Sequence, residues 1–304
     1  MLGGPQESET VGEVIGLIGF GEVGQVLAKG FREQGFMVIA SDPRFANESE
    51  ALHQVADQLG VIKAKDIASM GAILTSAFML VPSGVSSEVA KEFSAHMREG
   101  TRLFDLTTSS PSQKKESAFL FRNAGGAYTD VSIMGTVASE GFKVPLLMAG
   151  PEAEEAYELF AELGLNAKVL SSEVGAAASV KMLRSIFMKG IEALIFETML
   201  TAEQYGVRDE VMDSVASTFE KNEFKDLAET LMKTHILHRE RRKKEVEECM
   251  ALIRDAGLRP LVTEGVVHFF EASVANRNEL DTADKIEDVL KREYERMKVQ
   301  LVKE

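Results

Sequence analysis

Residues 14–42 constrain this chain more than any other stretch. An apolar run, Val14-Ile-Gly-Leu-Ile, leads into Gly19-Phe20-Gly21-Glu22-Val23-Gly24, a helix-like segment follows, and a second apolar run from Met37 closes on Asp42. In a strand–turn–helix–strand unit, Gly19 permits the tight turn, Gly21 lets the backbone approach a pyrophosphate, and Gly24 allows close helix–strand packing. The helix start directs unpaired N–H groups and a partial positive charge at the same point. Asp42 comes 18 residues after Gly24, where a carboxylate can accept hydrogen bonds from an adenosine ribose. The unit therefore predicts dinucleotide binding through Gly19, Phe20, Gly21, Glu22, Val23, Gly24 and Asp42. The Asp42 charge would repel a 2′-phosphate and favours NAD. Arg44, two residues on, offers NADP an alternative if Asp42 swings away.

The first half continues the alternation. Expected strands are Val14–Gly19, Met37–Ser41, Ala72–Phe78, Arg102–Leu106, Ala127–Val131, Pro145–Ala149 and Lys168–Leu170, with helices at Val26–Glu33, Ser86–Met97, Ser112–Asn123 and Glu152–Leu163. Such alternation implies an α/β class, a Rossmann-type doubly wound, largely parallel sheet. Beyond Glu173 everything reads helical: Val174–Tyr205, Asp209–Asn222, Lys225–Leu237, Arg239–Ala256, Val262–Arg277 and Thr282–Val302. The first of these is apolar around nearly its whole circumference and is expected to be buried. The last carries a stripe of Ile286, Leu290, Tyr294, Met297 and Leu301. The expected organisation is a flexible lead-in over residues 1–12, a nucleotide-binding domain over 13–172 and an all-helical domain over 173–304. The two apolar helices suggest a homodimer built through the helical domain.

Charge bounds the partners. With a formal net charge of −14 the chain lacks the basic face that nucleic acid demands, and anionic membrane surfaces are disfavoured. The single cysteine, Cys249, sits in a charged helical stretch and is read as structural. With no signal peptide or membrane-length apolar run, the expected location is the cytoplasm. No His/Cys/Asp cluster has metal-ligand spacing, so no metal is expected.

Lys181 is the first suspicious polar group. Lys181, Arg184, Ser185 and Met188 share one face of an otherwise apolar helix, behind the small residues Gly175 to Ala178. Two cations there are costly to bury unpaired. Either they pair with acids of the first domain, or Lys181 is desolvated beside another cation and its pKa falls toward the range useful for proton transfer. A denser basic run, His235 to Lys244, is interleaved with acids and reads as a solvated face. His238 or Arg242 could alternatively reach an anionic substrate.

Taken together, these motifs resemble the β-hydroxyacid dehydrogenase superfamily, which includes 6-phosphogluconate and 3-hydroxyisobutyrate dehydrogenases. The glycine turn matches, as do Asp105-Leu-Thr107-Thr108-Ser-Ser-Pro111, the pair Val81-Pro82, and a lysine six residues after Gly175. The resemblance implies that Val81, Pro82 and Thr108 belong to the cofactor site, that Lys181 is the acid or base for a carbonyl–alcohol interconversion, and that Ser132, Met134, Gly135 and Thr136 form the substrate loop. In that loop Met134 stands where the family has a carboxylate-binding serine, and Thr136 replaces its second glycine. Four residues after the lysine, Ser185 stands where the family has asparagine. Arg184 and Ser185 are then expected to grip the acid group of a small anionic substrate. Lys225-Asp226-Leu227 matches a late family motif but comes too early. The signatures G-F-G-E and K-M-x-R-S suggest a subgroup with a 6-phosphogluconate-dehydrogenase-like helical domain. Imine reductases share the fold, though retained Lys181 argues against that activity, and a non-catalytic dinucleotide sensor or scaffold is the other alternative.

Overall fold

The computed structural model describes residues 14–46, 50–275 and 285–298; the lead-in over residues 1–12 and Leu301 lie outside them. The elements, in order, are β1 (Val14–Ile18), α1 (Glu22–Glu33), β2 (Met37–Ser41), α2 (Glu50–Gln58), β3 (Ile62–Lys63), α3 (Ile67–Gly71), β4 (Ser76–Met79), α4 (Ser86–His96), β5 (Arg102–Asp105), α5 (Pro111–Asn123), β6 (Ala127–Ile133), α6 (Val137–Glu140), β7 (Leu146–Ala149), α7 (Ala153–Glu162) and β8 (Ala167–Ser171). Five helices follow: α8 (Ala176–Tyr205), α9 (Arg208–Glu220), α10 (Phe224–Asp255), α11 (Leu261–Ala275) and α12 (Ile286–Met297). The chain divides into two compact units between Ser185 and Ile186, within α8.

In the first unit the sheet order is β3-β2-β1-β4-β5-β6-β7-β8, parallel except where β6 meets β7. Period-two alternation sends neighbouring side chains to opposite faces. Ile15 and Leu17 join Phe31, Phe78, Phe104 and Phe160 in one core, whereas Ile18, Ala77, Met79 and Leu103 join Phe93 and Phe121 in the other. A sheet apolar on both faces must be covered by helices on both, as doubly wound sheets are.

The structure departs from expectation in identifiable places. The strand expected at Ala72–Phe78 begins only at Ser76, because α3 ends at Gly71 and the Ile73 and Leu74 N–H groups still donate to Met70 O, both at 3.1 Å, which folds the intervening residues into a turn. Leu74 is apolar because it packs under Gly16, where an added Cβ would fall 2.2 Å from its Cδ1. The strand β3 has two residues and so no alternation to read. The helices expected at Lys225–Leu237 and Arg239–Ala256 are one, α10, since no glycine or proline interrupts residues 224–255.

The described residues of the second unit form helices joined by short connections. Glu197 of α8 caps α11, accepting from Val262 N–H and Thr263 N–H, both at 2.8 Å, and from Thr263 Oγ1 at 2.6 Å. The expected burial of α8 is not met among the described residues: Leu183, Ile186 and Phe196 are 65, 71 and 63% exposed. On α12 Val289 is buried while Leu290 and Tyr294 are exposed; the side chain of Met297 lies outside the described ones. Cys249, expected to be structural, is exposed on α10 beside an apolar cleft of about 440 Å³. Among the described residues no helix is long and apolar enough to cross a membrane.

Candidate functional site

Strand order reverses between β1 and β4, and the ends of these strands open a cleft of about 1160 Å³ in the first unit. Ligands of open α/β sheets bind at such switch points. The glycine turn forms one wall. Gly19 has φ +105°, and its N–H donates to Ser41 O at 2.8 Å. An added Cβ on Gly24 would lie 2.5 Å from Gly19 O, so only glycine lets α1 approach the turn this closely. At Gly21 a Cβ would meet nothing within 4 Å. Gly21 is also the N-cap of α1 and supplies no side-chain cap, so the first-turn N–H groups lack the usual side-chain acceptor. Open space at a glycine beside exposed helix donors fits a diphosphate.

At the end of β2, Asp42 Oδ1 accepts from Arg44 N–H at 3.0 Å and Nε at 2.8 Å; Oδ2 accepts from Arg44 Nη2 at 2.7 Å and Phe20 N–H at 2.9 Å. Partial burial pushes the Asp42 carboxyl up, but the Arg44 and Phe20 hydrogen bonds outweigh it and hold the group below the usual carboxylate range. Both residues line the cleft. The Phe20 side chain instead lies in the core, 5.5 Å from the Phe45 ring, and Glu22 is exposed.

Val23, Val81, Pro82, Thr108 and Lys181 line the same cleft. Thus the glycine turn, the apolar Val81-Pro82 pair and the lysine, separated by up to 162 residues (181 − 19), share one cavity. Burial first, and then the Lys114 ammonium, pull the Lys181 amine below the usual lysine range.

The other expected site residues are scattered. Ser132 is buried in β6, and its Oγ has no hydrogen-bond partner among the described residues. Ile133 at the end of β6 and Val137 at the start of α6 line the cleft, not Met134, Gly135 or Thr136 of the loop between them. Glu140 folds back to accept from Thr136 N–H at 3.0 Å, and an added Cβ on Gly135 would lie 2.0 Å from its Oε1. Arg184 is exposed and Ser185 half-buried; neither lines the cleft. His238, exposed, and Arg242, whose Nη2 donates to Thr234 Oγ1 at 2.9 Å, belong to α10 in the second unit.

One cluster escaped the sequence reading. Lys114 of α5 is fully buried; its Nζ donates to Asp105 O at 2.7 Å and stands 2.9 Å from Asp105 Oδ1 and 3.5 Å from Asp130 Oδ1. Tyr128 OH donates to Asp105 Oδ2 at 2.5 Å. Asp130 Oδ2 accepts from Gly175 N–H and Ala178 N–H, both at 3.1 Å, at the start of α8. Asp130 thus meets Lys114 and the start of α8. The available signal was a pair of acids, one on each of two expected neighbouring strands, which require a buried cation between them.

Residues 14–169 match the NAD binding domain of 6-phosphogluconate dehydrogenase, and residues 202–273 match a domain of unknown function (DUF1932). An uncharacterized 28.5 kDa protein of Methanothermus fervidus is 25% identical over 257 residues, 84% of this chain and 97% of that one. Mitochondrial 3-hydroxyisobutyrate dehydrogenase of Mus musculus is 26% identical over 181 residues, 57% of this chain and 52% of its own length, so the chain spans about half of that relative. Among solved structures, an imine reductase from Bacillus cereus superposes with a TM-score of 0.75 at 14% identity, over 92% of this chain and 98% of that one, a likeness of fold.

Proposed function

The chain belongs to the family of the NAD binding domain of 6-phosphogluconate dehydrogenase, and on that footing we propose that it is a nicotinamide-dependent oxidoreductase interconverting a small β-hydroxy acid, or related anionic alcohol, and its oxo form. The observation that carries the reading is Lys181, a half-buried amine in the wall of the cleft that holds the glycine turn. The bound nicotinamide would supply or accept the hydride. Gly21 and the start of α1 would hold the diphosphate, Asp42 with Arg44 the adenosine ribose, and Val81 and Pro82 an apolar seat for the ring. Lys181 would give its proton to the carbonyl oxygen in reduction and take it from the hydroxyl in oxidation. Because its pKa is lowered, the neutral base form persists nearer neutrality than in an ordinary lysine. Oxidation should therefore rise, and reduction fall, as pH climbs through that lowered value.

NAD is the favoured nucleotide. A 2′-phosphate would have to draw Arg44 away from a carboxylate it grips through two nitrogens, at 2.8 and 2.7 Å. Arg184 and Ser185, one turn along the face that bears Lys181, would hold the acid group of the substrate. The reading is tested by following nicotinamide absorbance with NAD and NADP against short hydroxy, sulfo and phosphosugar acids. Turnover on an acid with NAD preferred is expected, and Arg184→Ala should raise the KM for that acid about tenfold or more while leaving cofactor affinity unchanged. Tight cofactor binding without turnover on any acid would sink the dehydrogenase reading.

The helical unit is proposed to build a homodimer. Apolar side chains such as Leu183, Ile186 and Phe196 stand more than half exposed along α8, and a second copy would remove them from water. Light scattering should give twice the chain mass of 33.3 kDa; a monomer at micromolar concentration would refute the assembly.

A further inference from the structure

The buried ammonium of Lys114 transfers no proton in the chemistry proposed above, yet through Asp130 it links α5 to the start of α8. Asp105 and Asp130 are direct partners in the register of β5 and β6, which sets two carboxylates side by side. Lys114, with no exposed surface, reaches both. The other oxygen of Asp130 accepts the two N–H groups of Gly175 and Ala178, satisfying donors that a helix start leaves without intrahelical partners. Gly175 has φ +91°, and an added Cβ there would lie 3.0 Å from the carbonyl oxygen of Pro111, the first residue of α5. The helix bearing Lys114 and the helix bearing Lys181 therefore begin against one another, tied through one carboxylate. Lys181 follows Ala178 by three residues, about 4.5 Å of rigid helix.

We infer that Lys114 is a positioning residue for Lys181: by holding Asp130 it sets where the first turn of α8 starts, and hence where the Lys181 amine stands in the cleft. The inference rests on the proposal that Lys181 handles the proton, and it adds the reason why the amine is placed and tuned as it is. Lys114 also acts as a fixed cation near that amine. Burial already disfavours protonated Lys181, and repulsion from Lys114 disfavours it further. Among the described residues, the ionisable groups around Lys114 are Asp105 from β5 and Asp130 from β6, with Tyr128 of β6 bonded to Asp105. Tyr128 stays protonated, its hydroxyl pushed well up by burial and by the neighbouring Asp105 carboxylate. The two carboxylates hold Lys114 in place but leave Lys181 without an ion pair among the described residues.

The test reads Lys181 directly. The full-length protein is reductively methylated with ¹³C formaldehyde, the Lys181 signal is assigned by its loss in Lys181→Arg, and its titration midpoint is followed by NMR. In Lys114→Met the midpoint should rise by about one pH unit, because a like charge is gone and carboxylates are freed. Lys114→Arg, which keeps the charge, should restore most of the shift. If Lys114→Met does not fold, Lys114→Met/Asp105→Asn removes the nearer of the two stranded carboxylates together with the cation, and the midpoint should still rise because the like charge is gone. On whichever acid is turned over, Lys114→Met should lower kcat about tenfold and move the pH profile upward with the NMR midpoint, with KM little changed. A folded variant in which the Lys181 midpoint stays at the wild-type value would overturn the inference. Absence of turnover in the wild type would instead count against the dehydrogenase reading, since the titration needs no substrate.

Discussion

Lys181→Met is expected to reduce kcat by about 10²- to 10⁴-fold, the range spanned by positioned acid–base groups, while leaving nicotinamide binding and thermal stability close to wild type. At 1.36 kcal/mol per decade that corresponds to roughly 3–5 kcal/mol of lost transition-state stabilisation. The separation of effects follows from the local structure. The Lys181 amine is half-buried in the cleft wall, and no ion pair within the described residues depends on it. Truncation therefore strands no buried partner, and the methionine stem keeps the apolar contacts along α8. Since the folded pKa is lowered, the unfolded chain binds more protons between the folded and unfolded values. The wild type should thus gain stability as pH rises through that window, and Lys181→Met should lose the dependence. Steady-state rates with cofactor titrations and pH-dependent melting check both parts. A kcat within threefold of wild type would remove Lys181 from the chemistry.

The glycine turn offers the second large effect, because two of its glycines are needed for different reasons. Gly24→Ala places a methyl 2.5 Å from the carbonyl oxygen of Gly19. Backbone cannot give way cheaply there, and a stability loss of about 1–3 kcal/mol is expected, visible as a lower Tm. Gly21→Val meets no protein atom within 4 Å of its Cβ, so Tm should hold. The new side chain instead occupies the approach to the first turn of α1, and nicotinamide affinity should fall at least about 100-fold, near 3 kcal/mol. Calorimetry for binding and melting for stability resolve the pair. Wild-type affinity in Gly21→Val would mean that the dinucleotide does not lie against this turn.

The resemblance drawn from the motifs and the family shown by comparison agree, and the reason lies in how local the evidence was. Each glycine of the turn answers a steric demand within a few residues of itself, and the strands Met37–Ser41 and Arg102–Asp105 declare themselves by composition over four or five positions. Where the demand was set from afar, the reading failed. Leu74 looked like strand because it is apolar, but its partner is Gly16 across the core. The circumference of α8 looked buried because it is apolar, yet among the described residues Leu183, Ile186 and Phe196 stay more than half exposed.

The candidate site divides along the same line. Spacing and residue type alone pointed to Gly19, Gly21, Gly24 and Asp42, because a diphosphate turn and its ribose acid are built from one continuous βαβ stretch. Lys181 drew suspicion for the same reason, as a cation on an apolar helix face. That Lys181 shares a cleft with that turn, that Arg44 occupies the Asp42 carboxylate, and that Lys114 is wedged between Asp105 and Asp130 were decided by tertiary structure. Asp130 and the Gly175 N–H it accepts are 45 residues apart, and the pair forms only when the sheet brings β6 beneath the start of α8. Helical and strand periods act over one or two turns and are written into neighbouring residues. The pairing of buried charges is dictated by desolvation, which no residue experiences until the chain has closed around it.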